Sequence, residues 1–186
     1  MKRYRIAVIP GDGVGKEVIP AGQRVLEAAV AGHAELEWTE LPWGSDYYRQ
    51  TGAMMPPDGL EILRGFDVIY LGAVGDPPRV PDHVTLWGLL LPIRKAFDLY
   101  VNVRPIKLLP GITGPLRDKG PEHIDMVFVR ENTEGEYAGA GGRVHVGTPH
   151  EVALETAVFS RFNVERVVRY AFELARTRRK HLTSIT

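Results

Sequence analysis

Three arginines occupy positions that are odd for ordinary surface cations. Arg94 follows the apolar stretch LWGLLLPI, Arg104 closes the run YVNV, and Arg130 closes the run DMVFV. A planar guanidinium meets a carboxylate through two parallel hydrogen bonds, so three converging forks would hold a small di- or tricarboxylate. Strand ends in α/β sheets open onto ligand crevices, which is where runs of this kind would deliver Arg104 and Arg130. The competing reading is three solvated or ion-paired arginines, with Glu131 or Glu134 as natural partners for Arg130. Tyr137 follows in the same phrase, VRENTEGEY. A phenol beside cationic groups can act as a general acid, although most tyrosines simply pack.

The glycine turn IPGDGVG, Ile9 to Gly15, offers backbone N–H groups that could receive a phosphate or carboxylate. Its G-x-G-x-G spacing differs from the dinucleotide fingerprint, and Glu17 stands where a phosphate-binding P-loop needs Ser or Thr. A tight structural turn and a ligand loop both remain open on this spacing. The group Trp43, Tyr47, Tyr48, Met54 and Met55 suits core or lid packing better than a cofactor box. The six histidines show no H-x-x-x-H pattern, and no metal cluster is read from them.

The elements that must carry these residues alternate between strand and helix patterns. Arg5 to Ile9 reads as a strand, Val14 to Ala31 as a helix, Ala34 to Leu41 as a strand, and Asp67 to Val74 as a buried strand by its continuous apolar character. A proline-bearing loop or lid from Gly75 to Asp82 leads into helical spacing over Trp87 to Phe97. Tyr100 to Val103 and His123 to Val129 are two further strands, Tyr137 to Val146 a hairpin-like arm, and Glu151 to Val158 a weaker strand. A final helix spans Asn163 to Arg176, capped by Ser160 or Asn163, with Val164, Val167, Val168, Ala171, Phe172 and Ala175 on its apolar face. The closing HLTSIT resembles the start of a buried strand. Strands separated by helices predict an α/β layer architecture with parallel pairing.

Composition narrows the classes of function. At 44% hydrophobic and 25% charged residues, the chain has the balance of a globular protein that buries a core. Its 23 basic residues equal its 23 acidic ones, so no global field attracts nucleic acid or an anionic membrane. The absence of cysteine removes disulfides, thiolate metal sites and cysteine nucleophiles, and fits a cytoplasmic protein. The apolar run Ile6 to Ile9 is too short for a secretory signal, and no stretch reaches the roughly 20 apolar residues of a membrane span.

Taken in order, IPGDGVGKEV, LGAVG, LPIRK, VNVRP, VRENTEGEY, SRFNVERVVRYAF and RKHLTSIT resemble the β-decarboxylating dehydrogenases, the isocitrate/isopropylmalate dehydrogenase family. WGSDYY, MMPPDGLE and VPDHVTLWG look most like the tartrate or D-malate branch. The resemblance implies an isopropylmalate-dehydrogenase-like fold with parallel or mixed sheet layers, divided into residues 1–99 of a first domain and residues 100–186 at the start of a second, dimerisation and substrate domain. Both would be incomplete, because the family's catalytic lysine, metal-binding aspartates and adenine-binding glycine loop lie downstream of Thr186. The same resemblance matches Arg94, Arg104 and Arg130 to substrate-binding arginines and Tyr137 to a proton-delivering tyrosine. It matches Val84, Thr85 and Leu86 to a segment near the nicotinamide, and Leu90 to the helix turn that selects the substituent on the substrate's third carbon.

The implied activity is NAD-dependent oxidative decarboxylation of a 2-hydroxy diacid of the tartrate, D-malate or 3-isopropylmalate type, assisted by Mg or Mn, in a homodimer. An apolar Leu90, with no Ser or Asn four residues before Arg94, argues against an isocitrate-type γ-carboxylate partner. The alternative expectation is a non-catalytic carboxylate-binding or dimerisation module, and the 186-residue chain alone is expected to be inactive.

Overall fold

A computed structural model describes residues 1–185. Contacts divide the chain into Met1–Ala96 and Phe97–Thr186, each treated separately below.

In the first unit, strands β1 (Lys2–Gly11), β2 (Ala34–Glu40) and β3 (Val68–Ala73) form a parallel sheet in the order β2-β1-β3. Helix α1 (Gly15–Val30) makes the crossover from β1 to β2, as the predicted strand, turn and helix require. The central strand is the most buried, with Ala7, Val8 and Ile9 at 1% exposure or less. Ile6 and Val8 pack on Ile19 of α1, and Tyr4, Leu36, Trp38 and Tyr70 surround them. Register explains the aromatic pair: Ile6 lies opposite Trp38, Val8 lies opposite Tyr70, and the two rings meet at 5.9 Å. Helices α2 (Ser45–Thr51) and α3 (Gly59–Arg64) follow β2, whereas α4 (Asp82–Thr85), a π-helical turn (Leu86–Leu90) and α5 (Leu91–Ala96) follow β3.

The expected burial of β3 is not observed. It pairs only with β1 among the described residues, leaving Val68 47% exposed and the rest half-buried. Continuous apolar character marks what a strand can bury, whereas the exposure depends on what lies beside it.

The glycine turn is built as a structural latch. Gly11 has φ of +72°, and a Cβ there would stand 2.1 Å from the Ala73 carbonyl oxygen. A Cβ on Gly15 would come equally close to the Pro10 carbonyl oxygen. The buried Asp12 donates its N–H to Ala73 O at 2.6 Å. Its carboxylate accepts from Ser45 N–H at 2.8 Å, Ser45 Oγ–H at 2.7 Å and Gly75 N–H at 2.9 Å. One side chain thereby ties β1 to the start of α2 and to the loop after β3. Trp43 and Met54 are buried at 4% and 2%, consistent with packing roles.

In the second unit, β4 (Val101–Lys107) pairs antiparallel with β5 (Asp125–Glu131), and β6 (Gly135–Val144) pairs antiparallel with β7 (Val152–Val158). The expected hairpin-like arm from Tyr137 to Val146 is thus mostly one strand, beginning at Gly135, and the hairpin is completed by the strand expected separately over Glu151 to Val158. Helix α6 (Arg161–Thr177) is capped by Ser160, whose Oγ accepts from Asn163 N–H at 3.1 Å. That resolves the cap in favour of Ser160, because an N-cap side chain must lie outside the first helical turn.

Two expectations need correction. Val164, Val168 and Phe172 remain 44–58% exposed, because a narrow two-stranded ribbon covers only part of the apolar face of α6. Residues 181–185 form no strand, having no strand partner among the described residues, and Thr186 lies outside them.

Because the Asp12 carboxylate meets three donors in a buried site, Asp12→Ala should lower stability by about 3 kcal/mol. Urea unfolding measures this directly. A loss below about 1 kcal/mol would show that the latch is dispensable.

Candidate functional site

The clearest convergence of the sequence-predicted residues lies on the β4–β5 ribbon. Asn102 is opposite Arg130 and Arg104 opposite Phe128, so all four side chains belong to one face. Arg104 and Arg130 are diagonal neighbours across the strands, a spacing of roughly 7–8 Å between backbones that long side chains can close. This is the exposed face of β5: Met126, Phe128 and Arg130 alternate with the half-buried Val127, Val129 and Glu131. The arginines thus project from a sheet face. Arg104 sits mid-strand, not at a strand end, because the local pairing is antiparallel and β4 continues through Lys107.

The neighbouring acids have other work. Glu131 accepts from Thr133 N–H, Thr133 Oγ–H and Glu134 N–H, bracing the turn that follows β5. Glu134 accepts from Ser160 N–H and Ser160 Oγ–H, both at 2.7 Å, joining that turn to the start of α6. Among the described residues, neither Arg104 nor Arg130 makes a salt bridge. The Arg130 guanidinium lies 5.5 Å from the centre of the Tyr137 ring, within cation–π range. Tyr137 is half-buried, held by β6 on the far side of the Glu131–Glu134 turn.

Sequence reasoning missed the polar framework beneath this face. Asn132 is 7% exposed; its Nδ2 donates to Leu99 O at 2.9 Å and its Oδ1 accepts from Asn102 Nδ2 at 3.2 Å. Asn102 Oδ1 in turn accepts from Arg104 Nε at 2.9 Å. Arg166 of α6 binds both carboxylate oxygens of Asp98 at 2.5 and 2.7 Å, and its guanidinium lies over Tyr100 and Phe162. A signal was available, since asparagine disfavours strands and Asn102 interrupts an otherwise apolar run two residues before Arg104.

The remaining candidates belong to the first unit. Leu90 ends the π-helical turn, Arg94 follows one turn later on α5, and both are half-buried. The Leu89, Leu91 and Ile93 side chains are buried and anchor this segment. A π-helical insertion often marks a site where a helix is re-aimed. Val84 and Leu86 are half-buried, while Thr85 is 3% exposed and its hydroxyl donates to Asp82 O at 3.0 Å. A cavity of about 420 Å³ beside the ends of β1 and β2 is lined by Lys16, Glu40, Trp43, Asp46 and Tyr47 among others, and contains none of these candidates. Among the described residues, no group of three His, Cys, Asp or Glu side chains is placed to hold a metal ion, and no helix is long and apolar enough to cross a membrane.

Residues 5–186 match the isocitrate/isopropylmalate dehydrogenase family, and the chain belongs to that family. It is 58% identical to a probable tartrate dehydrogenase/decarboxylase of Agrobacterium vitis, and 56% identical to the decarboxylating D-malate dehydrogenase of Escherichia coli strain K12. In both cases the match covers 100% of this chain and 52% of the relative. Among solved structures, isocitrate dehydrogenase from Methylococcus capsulatus superposes with a TM-score of 0.75 at 29% identity, covering 94% of this chain and 48% of that one. A β-decarboxylating dehydrogenase from Thermococcus kodakarensis gives 0.61 at 36% identity, covering 94% and 46%. The chain spans about half the length of the curated relatives it matches.

Hydrogen bonds from Ser160, first through its backbone, hold the Glu134 carboxyl below its usual 4.5. A depressed carboxyl stabilises the fold fully above its unfolded value and loses that contribution as pH falls through the folded value. Stability should therefore decline below about pH 4.5, and Glu134→Gln should make this acid limb shallower. Denaturation midpoints measured across that range test the link. An unchanged limb in the variant would remove Glu134 from it.

Proposed function

We propose that the protein carrying this chain is an NAD-dependent, divalent-metal-assisted dehydrogenase that oxidatively decarboxylates a 2-hydroxy diacid of the tartrate, D-malate or 3-isopropylmalate type. The observation that carries this reading is the open ribbon face, where Arg104 and Arg130 stand diagonally, without carboxylate partners among the described residues, and Tyr137 lies against Arg130. The identity to tartrate and D-malate dehydrogenase/decarboxylases supports the choice of substrate class.

In this reading Arg104 and Arg130 neutralise and orient the diacid, and the family resemblance adds Arg94 as a third fork. Leu90, apolar and one turn before Arg94, suits a substrate without a third carboxylate at that position. Tyr137 delivers a proton to the carbon left electron-rich when carbon dioxide departs. NAD supplies the hydride acceptor and Mg or Mn a Lewis acid. The described residues do not by themselves assemble a metal site; Val84, Thr85 and Leu86 would stand beside the nicotinamide, the Thr85 hydroxyl donating to Asp82 O and keeping its lone pairs as acceptors.

The reading extends to a cytoplasmic homodimer. Its partner surface would draw on the exposed Val144, Val146, Val152 and Leu154 of the β6–β7 hairpin and its turn.

Tyr137→Phe in the intact protein should lower kcat by about 100-fold or more while diacid affinity stays within about threefold. NADH formation from D-malate, with calorimetry for binding, supplies both readings. Undiminished turnover would remove Tyr137 from the reaction, whereas diacid binding without any turnover by the wild type would identify a carboxylate-binding module.

A further inference from the structure

We infer that Asn132 and Asn102 form a one-way hydrogen-bond relay that orients the Arg104 guanidinium toward a substrate carboxylate, making both asparagines positioning residues. The inference rests on the dicarboxylate reading above for its purpose, but its geometry stands independently.

Hydrogen-bond chemistry at the two ends fixes the direction of the relay. Arginine has no acceptor, so the Asn102 group facing Arg104 Nε must be its carbonyl oxygen. Asn102 consequently turns Nδ2 toward Asn132, which must answer with Oδ1. That leaves Asn132 Nδ2 facing the Leu99 carbonyl, an acceptor that cannot donate. Every member meets its complement in a single arrangement, and rotating either amide would oppose like groups at two contacts. The far end is anchored twice, since Asn132 N–H also donates to Tyr100 O at 3.0 Å.

This arrangement has a consequence for the arginine. Binding through Nε fixes the plane of the guanidinium and leaves both terminal nitrogens for a ligand. Arg104 makes no salt bridge among the described residues, so the relay restrains it without neutralising its charge. A carboxylate partner in the position of Asn102 would hold the side chain but compete with a diacid. A neutral relay gives preorganisation while preserving the attraction.

Its location suits the purpose. Asn102 is the cross-strand partner of Arg130, so the amide orienting one arginine stands directly beside the other. The buried Asn132 immediately follows Arg130 in the chain.

The test combines a double-mutant cycle with a ligand-independent readout in the intact protein, using D-malate as probe. Asn102→Ala should raise the D-malate Kd and KM about tenfold with kcat within about twofold, and Asn132→Leu, close in volume, should raise them by a smaller factor. In an Arg104→Ala background, Asn102→Ala should change affinity less than about twofold, because nothing remains to be oriented. Without ligand, the Arg104 Nε–H should exchange with solvent more slowly than that of the exposed Arg161, and Asn102→Ala should remove the difference. Additive effects in the cycle, or wild-type exchange as fast as Arg161, would overturn the relay. If slow exchange were seen but wild type bound no D-malate, the assigned purpose would be overturned and the dicarboxylate reading with it. Fast exchange with normal D-malate binding would overturn the relay alone.

Discussion

The antiparallel register of β4 and β5 is the constraint on which the site depends. Asn102 against Arg130 places Arg104 against Phe128, and strand pleating then sends both guanidinium groups to one face. A one-residue slip of β4 would send Arg104 and Asn102 to the opposite face. On β5 the half-buried Val127 and Val129 alternate with the exposed Met126 and Phe128, which fixes the face that Arg130 takes, while the Asn102–Asn132 hydrogen bond favours the observed placement of β4 beside it. The same packing holds α6 against the ribbon, and Arg166 adds a charged clasp through Asp98 and an aromatic contact through Tyr100. Arginine disposition is thus a product of strand packing as much as of local polar chemistry.

Acids close to the candidate site are occupied by architecture. Glu131 folds back onto the turn after β5, and Glu134 links that turn to the helix cap at Ser160. Their engagement leaves the positive charge of Arg130 unmatched by the carboxylates nearest it in sequence. The first unit uses the same economy: Asp12 satisfies three donors and leaves the glycine turn closed around its own backbone. A glycine-rich strand-to-helix turn is therefore compatible with a wholly structural role.

Much of this was legible in the sequence because it follows from periodicity. The first unit's strand, turn and helix emerge from the apolar run before Pro10 and the spacing in α1, and Ser160 was among the two cap candidates. The family was legible through the order of several motifs. The arginines and Tyr137 were identifiable as candidates, yet sequence placed Arg104 at a strand end because nothing local reveals that β4 continues past Pro105. Exposure was hardest to read. Val68 and Phe172 have core-like side chains, but whether an element is covered depends on distant chain segments. The Asn132–Asn102–Arg104 chain was hidden for the same reason, since Asn132 reaches Asn102 only through cross-strand pairing.

The function of this face depends on whether Arg104 and Arg130 act on one ligand. A crystal structure of the intact protein with D-malate bound tests that most directly. It should show carboxylate oxygens of one diacid within about 3 Å of both guanidinium groups, with Arg104 Nε still bonded to Asn102. A diacid bound elsewhere, contacting neither arginine, would contradict the site.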